Sequence, residues 1–213
     1  MRHRHVVSCL AAGLLAGGLA AVPAQAATAP AGEGSAYGLA ITGPITVPPV
    51  PAVSSTTEEV NKRLLRENHT DLADAEALHV SASPSRARST VTRLAVPSAD
   101  LLASAVSAKC VDGRGSAHLG RAVLAGKRLD ASPPPNTTIP VDVDGVGRTA
   151  LILNKQQRTA DGRLAVTAME LALPRDKGTL RVASATCGRG APARAPKEAP
   201  APTPVEHDIP VTG

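Results

Sequence analysis

The most restrictive feature of the sequence is its lack of aromatic side chains. The 213 residues include no Phe, no Trp and one Tyr, Tyr37. A core must therefore be built from Val, Leu, Ile and Ala. Full burial of a branched aliphatic side chain stabilises a fold by only roughly 1.5–3 kcal/mol. Many of these side chains must be buried together, and the length allows one domain with tails or two small domains.

The N-terminal segment predicts export. Arg2 and Arg4 precede an apolar stretch over residues 6–22, and a small-x-small sequence follows it. This is the pattern of a cleaved signal peptide, here residues 1–26. The predicted cleavage site consists of Ala24, Ala26 and Ala27. We expect a secreted protein, extracellular or in the cell wall, without a transmembrane helix in its mature chain. An uncleaved membrane anchor is the alternative.

The cysteines support the same compartment. Cleavage would remove Cys9 and leave Cys110 and Cys187. An even pair in an exported chain predicts one disulfide. Two unpaired buried thiols are the alternative.

The clearest local pattern lies in the second half of the chain. Strand-like runs at residues 138–143, 146–153, 163–173 and 179–187 are separated by Asp144-Gly145, by Asp161-Gly162 and by a loop containing Gly178. Asp-Gly favours the tight turn of an antiparallel hairpin, because both of its central positions need positive φ. No long amphipathic helix separates the runs. We predict an all-β fold, an antiparallel sandwich or barrel-like domain with one disulfide.

The first half of the domain is less regular. We predict strands at residues 35–47 (broken at Gly43-Pro44), 90–96, 101–110 and 118–124, a bend at Pro48, Pro49 and Pro51, and a turn at residues 113–115. The segment 56–79 is ambiguous. Its start resembles a helix-capping box, whereas its end alternates like a strand.

The chain therefore divides into five predicted parts. A signal peptide (1–26) is followed by a flexible lead-in (27–34) and the β-rich domain (35–187). A linker rich in Pro and Ala (188–208) leads to a short C-terminal motif (209–213). The linker composition cannot bury a core, so we expect a disordered, extended spacer. A tail without function is the alternative.

The C-terminal motif resembles a cell-wall sorting signal. It consists of Ile209, Pro210, Val211, Thr212 and Gly213. It is similar to the sortase pattern Leu-Pro-x-Thr-Gly, which implies cleavage after Thr212 and attachment to peptidoglycan. Such signals continue into an apolar helix and a basic tail, and the sequence ends at Gly213, so release into the medium is an alternative.

The β-rich region also resembles a known family. The segments are SAYGL (35–39), LASAV (102–106), PNT (135–137), LILN (151–154) and VASA (182–185), with one cysteine after the second and one after the last. Their order resembles the actinobacterial choice-of-anchor P family. The resemblance implies an exported protein with a variable anchoring device, and it implies no catalytic residues.

Charge and missing motifs narrow the function. The net charge is +5, and the arginines at 86, 88, 121, 163 and 189 are scattered along the sequence. This indicates a mildly basic, solvated surface, with anionic cell-wall polymers as candidate partners. We expect no nucleic acid, since single-strand binding relies on aromatic stacking. No phosphate-binding, zinc, calcium or nucleophile motif is complete, so we predict no catalytic residues, no metal and no cofactor.

Three functions remain open after this reading. A structural or adhesive surface protein without enzymatic activity is favoured. A secreted binding or inhibitor module is the second. A hydrolase of wall polymers is the third, and it is disfavoured because sugar-stacking aromatics are nearly absent and most acidic residues lie in turns.

Overall fold

The computed structural model describes residues 32–44, 46–69, 73–145, 147–173 and 178–188. These residues contain no α-helix and one short 3-10 turn, Pro97–Ala99. The strands are β1 (Gly34–Thr42), β2 (Val47–Ser55), β3 (Val60–His69), β4 (Ala73–Ser83), β5 (Arg86–Val96), β6 (Leu101–Ala103), β7 (Ala105–Val111), β8 (Arg114–Gly120), β9 (Val123–Leu124), β10 (Lys127–Arg128), β11 (Thr137–Val143), β12 (Gly147–Arg158), β13 (Leu164–Leu173) and β14 (Gly178–Cys187).

The strands form two antiparallel sheets that pack face to face. The first has six strands in the order β11-β12-β13-β14-β1-β2. The second has eight, in the order β10-β9-β6-β5-β4-β3, with β7 paired to both β5 and β8. Strands β1, β13 and β14 of the first sheet pack against β4, β5, β7 and β8 of the second. The predicted all-β antiparallel sandwich is confirmed.

The predicted meander is also confirmed. Strands β11 to β14 pair in sequence order, and the first two hairpins turn at Asp144-Gly145 and Asp161-Gly162. Gly145 and Gly162 have positive φ, but Asp144 and Asp161 do not, so the expectation of positive φ at both central positions of these turns is wrong. The Asp-Gly pairs nevertheless mark where the chain reverses between these strands.

One expectation for the first half is wrong and one open question is settled. The described residues of the ambiguous segment 56–79 form a bend, strand β3 and most of β4, so the strand pattern at its end is confirmed. Pro48, Pro49 and Pro51 lie inside β2 and do not form a bend between elements. They are tolerated there because β2 is an edge strand, where a missing backbone N–H need not cost a sheet hydrogen bond. The opposite edge strand of this sheet, β11, also carries a proline, Pro140.

Two further predicted elements are shifted by a few residues. The turn predicted at residues 113–115 is formed by Asp112 and Gly113, and β8 begins at Arg114. The strand predicted over residues 101–110 is divided at Ser104 into β6 and β7, which pair with successive parts of β5.

Each sheet contains a row of residues that interrupts strand pairing, which we call the kink row. In the six-stranded sheet the row includes Gly38, Asn154, Ala168 and Ala183, and in the larger sheet it includes Ala77 and Thr92. Ala77, Asn154 and Ala183 have positive φ. Pairing resumes in the same register beyond the row. The alternation of buried residues is offset by one position there, so that in β4 the buried residue after Ala75 is Leu78 and not Ala77.

The core lies between the two sheets, on both sides of the kink rows, and is built from small side chains. Its buried residues are Ala, Val and Leu with few others, as the lack of aromatics requires. The sheets approach so closely that a Cβ on Gly38 would lie 2.6 Å from Cδ2 of Leu78 in the opposite sheet. Within its own sheet, this Cβ would lie 2.9 Å from the Val50 carbonyl oxygen of β2. Glycine at the kink row therefore allows the two sheets to meet.

Candidate functional site

The predicted disulfide is present and joins the two sheets. Cys110 is the last buried residue of β7, and Cys187 is the last residue of β14. Their sulfurs are bonded, with a Cα–Cα distance of 5.6 Å, and both residues are fully buried. The bond closes a loop of 77 residues between a strand of the larger sheet and the last strand of the smaller one.

The strongest surface feature is a set of cations on the outer face of the larger sheet. In β5, Ala87 and Ser89 are buried, so Arg86 and Arg88 point away from the core. In β7, Ala108 and Cys110 are buried, so Lys109 shares that outer face. We define the cationic face by the exposed residues Arg63, Arg86, Arg88, Lys109 and Arg114.

Strand register places these cations on a compact grid. Arg88 pairs directly with Lys109 across β5 and β7. Val111 pairs with Arg86 on one side and with Arg114 on the other. Neighbouring strands lie about 4.8 Å apart, and alternate residues of one strand lie about 6.7 Å apart. Four of the cations, Arg86, Arg88, Lys109 and Arg114, are therefore separated by one or two grid steps. Arg63 pairs with His79, which pairs with Thr90, so it lies on the same face about three grid steps from Arg88.

Small polar side chains fill the positions between the cations. Serines and threonine of β4, β5, β7 and β8 share the face, as do two histidines; these residues are Ser81, Ser83, Thr90, Ser107, Ser116, His79 and His118. Hydroxyl groups donate and accept hydrogen bonds, and none of these side chains carries a negative charge at neutral pH. The face therefore offers hydroxyl and imidazole hydrogen-bonding groups around fixed positive charges.

The kink row of the larger sheet separates the cationic face from a part of the same sheet where the cations form ion pairs with acidic side chains. Beyond the row, Arg66 pairs with Asp74 at 2.6 Å and Arg93 pairs with Glu76 at 3.1 Å. The hydrogen bond and charge of Asp74 raise the pKa of Arg66 further above its ordinary value. Among the described residues, no ion pair involves any member of the cationic face.

The nearest acidic residues along the chain border the face. Glu58 and Glu59 precede β3, and Asp112 occupies the turn between β7 and β8. Directly opposed like charges destabilise a strand pair. Two charges about 7 Å apart in water repel by about 0.6 kcal/mol. The pairing of Arg88 with Lys109 therefore carries a small cost, and no acid within the described residues forms an ion pair with either side chain.

A second cluster of charges lies on the outer face of the six-stranded sheet. Glu170 accepts hydrogen bonds from Lys155 at 2.6 Å and from Arg181 at 2.9 Å, and its side chain is only 8% exposed. Lys155 and Glu170 lie on opposite sides of the kink row of the six-stranded sheet. Burial raises the pKa of Glu170, but the hydrogen bonds and charges of Lys155 and Arg181 outweigh burial and leave the pKa below its ordinary value.

Two hydroxyls and the sole tyrosine lie beside this cluster. The Thr167 and Ser184 hydroxyls lie 3.2 Å apart and are buried. Tyr37 pairs with Ser184 across β1 and β14. The hydrogen bond and the charge of Glu170 raise the pKa of Arg181 above its ordinary value. An ionised carboxylate held between two cations suits bracing of the sheet better than proton transfer near neutral pH.

Several residues singled out from the sequence have structural partners. Arg163 pairs with Asp161 and Glu33, and Arg121 donates a hydrogen bond to Ser104. Asp142 of β11 pairs with Arg148 of β12. No group of three or more metal-ligating side chains is found within the described ranges.

Other predicted features lie outside the described residues. These are the signal peptide with Ala24, Ala26 and Ala27, the lead-in up to residue 31, the tail from residue 189 with Arg189, and the motif formed by Ile209, Pro210, Val211, Thr212 and Gly213. They stay predictions.

Sequence reasoning missed both charge clusters. A lone acid within an apolar run, Glu170 between Met169 and Leu171, was a usable signal for the buried cluster. The cationic face gives no comparable signal, since its members are spread over four strands. Only Arg86 and Arg88 had been noted, as part of a dispersed set.

The described part of the chain contains no helix with the length and apolarity needed to cross a membrane. In comparisons with known proteins, no family model, no curated protein and no solved structure matches the chain.

Proposed function

We propose that this chain is an exported bacterial surface protein whose β-sandwich has a structural or adhesive role and no catalytic one. The observation that carries the proposal is the bond between Cys110 and Cys187. Disulfides persist in oxidising compartments and are rare in the cytosol. The pattern of residues 1–26 fits the same location, since cleavage there removes Cys9 and leaves no cysteine without a partner.

The environment of the buried charges supports a non-catalytic role. A general acid or base at neutral pH needs a pKa near 7. The pKa of Glu170 is instead lowered, because two cations hold its carboxylate in the ionised form. The nearby hydroxyls of Thr167 and Ser184 hydrogen-bond to each other. This arrangement stabilises a sheet and supplies no activated nucleophile.

Export is tested by expressing the full chain in a Gram-positive host and measuring the intact mass of the secreted protein. We expect a chain beginning at Ala27 whose mass is lower than that of the reduced form by two hydrogens. A matched variant, Ala26→Phe, places a bulky side chain at the cleavage site and should retain the leader. A secreted wild-type chain with its leader attached, or with both thiols free, would refute the proposal.

Attachment is tested by fractionation of the same cells. A covalent link formed at Thr212 would resist washing with high salt and would be released by a muramidase. Thr212→Ala should then move the protein from the muramidase-released fraction to the medium. Recovery of the wild type only in the medium would favour a released binding module instead.

A further inference from the structure

We infer that the cationic face is a docking surface for a linear phosphodiester polymer of the cell envelope. This deepens the proposed function, on which it rests only for the location of the ligand outside the cell. The five cations lie on one exposed half of a sheet face, and within the described residues none is neutralised by an acid.

The cationic face differs from an ordinary charged surface because its cations lack the acidic partners found on the other side of the same kink row. On the far side, each of Arg66 and Arg93 has an acidic partner on the adjacent strand. On the near side, Arg88 faces Lys109 directly. One sheet face thus holds a balanced half and an unbalanced half, and a polyanion would remove the repulsion in the unbalanced half.

The side-chain types favour phosphate. All members of the face except Lys109 are arginines, and the planar guanidinium binds two oxygens of a phosphate or carboxylate at once. A phosphodiester offers two unbridged oxygens in every repeat. The serine and threonine hydroxyls between the cations, such as Thr90 and Ser107, can hydrogen-bond to the same oxygens.

The shape and composition of the face favour a flexible polymer of polyol phosphates. The face carries no Phe, Trp or Tyr, so neither bases nor sugar rings find a stacking surface. Contact must therefore depend on charge and hydrogen bonds. A linear chain with a charge in each repeat can follow the rows of the grid.

Binding is tested with the purified, oxidised chain from residue 27 and poly(glycerol phosphate) of defined length, by calorimetry at several NaCl concentrations. We expect the logarithm of the binding constant to fall linearly with the logarithm of salt, with a slope of about −2 to −4 for three to five neutralised phosphates. Because purified protein is used, failure here leaves the export proposal intact, and failure of export leaves this result intact.

The decisive variants remove one Arg and one Lys. Arg88→Gln/Lys109→Gln should weaken binding about thirty-fold at low salt, taking about 1 kcal/mol for each basic residue near an anionic surface. The matched control is Lys127→Gln/Arg128→Gln, which makes the same change of charge on the short strand β10. The control should bind within about twofold of the wild type.

Thermal unfolding distinguishes a docking role from a structural one. The face variant should be at least as stable as the wild type, because it relieves repulsion between paired strands. Equal weakening by both variants, or no binding of poly(glycerol phosphate) at 50 mM NaCl, would overturn the inference. Tighter binding of single-stranded DNA or of a polyuronate of equal charge would also overturn it.

Discussion

Loss of the disulfide should produce the largest change in stability that a conservative substitution can cause in this domain. We consider Cys110→Ala/Cys187→Ala, which removes the bond and leaves no free thiol in the mature domain. The bond closes 77 residues. Chain-entropy theory gives about 4.5 kcal/mol for a loop of this length. Both cysteines are buried, so loss of the sulfur atoms adds a small packing cost.

The assay is urea unfolding of the oxidised wild type and of the double variant. We expect the free energy of unfolding to fall by about 4 kcal/mol and the urea dependence (m) to rise, because the unfolded variant is less compact. On heating, the midpoint should fall by about 10–15 °C for a domain of this size. A decrease below about 1 kcal/mol with unchanged m would show that the bond does not restrict the unfolded chain, and would refute this reasoning.

Three further changes test the kink rows and the buried polar groups. Glu170→Gln should lower the free energy of unfolding by about 1–3 kcal/mol at pH 7. The pKa of Glu170 is lowered in the folded state, so the difference from the wild type should shrink as pH falls below about 4. Thermal melts across pH measure this difference. Gly38→Ala places a Cβ 2.6 Å from Leu78 and should cost about 1–3 kcal/mol, with a less than additive loss when combined with Leu78→Ala; additivity in urea melts would contradict direct contact. Ser89→Ala removes a buried hydroxyl that has no hydrogen-bond partner within the described structure, so unfolding should show equal or greater stability, by up to about 1 kcal/mol; a clear loss would indicate a hidden partner.

The kink rows help to explain why the sequence left segment 56–79 ambiguous. In β4 the buried series runs through Ala73 and Ala75 and then resumes at Leu78. The step of three residues interrupts the two-residue period of a strand and imitates the spacing of a helix. A shift of this kind arises because Ala77 adopts positive φ between two other strands, and pattern reading along one strand cannot anticipate it.

The prolines of β2 illustrate a second limit. Three prolines within four residues normally predict a break in secondary structure. Their place in a strand depends on β2 being at the edge of its sheet, a fact of sheet order and not of local sequence.

The sequence by itself determined what depends on neighbours along the chain: the all-β class, the Asp-Gly hairpins and the small aliphatic composition of the core. It also singled out Cys110 and Cys187, because only two cysteines follow the predicted signal peptide. The tertiary structure alone decided which residues share a face. Arg63, Arg88 and Lys109 share a face through the register in which β3, β4, β5 and β7 pair. Local propensities specify turns and alternation, whereas register follows from the packing of whole sheets against one another.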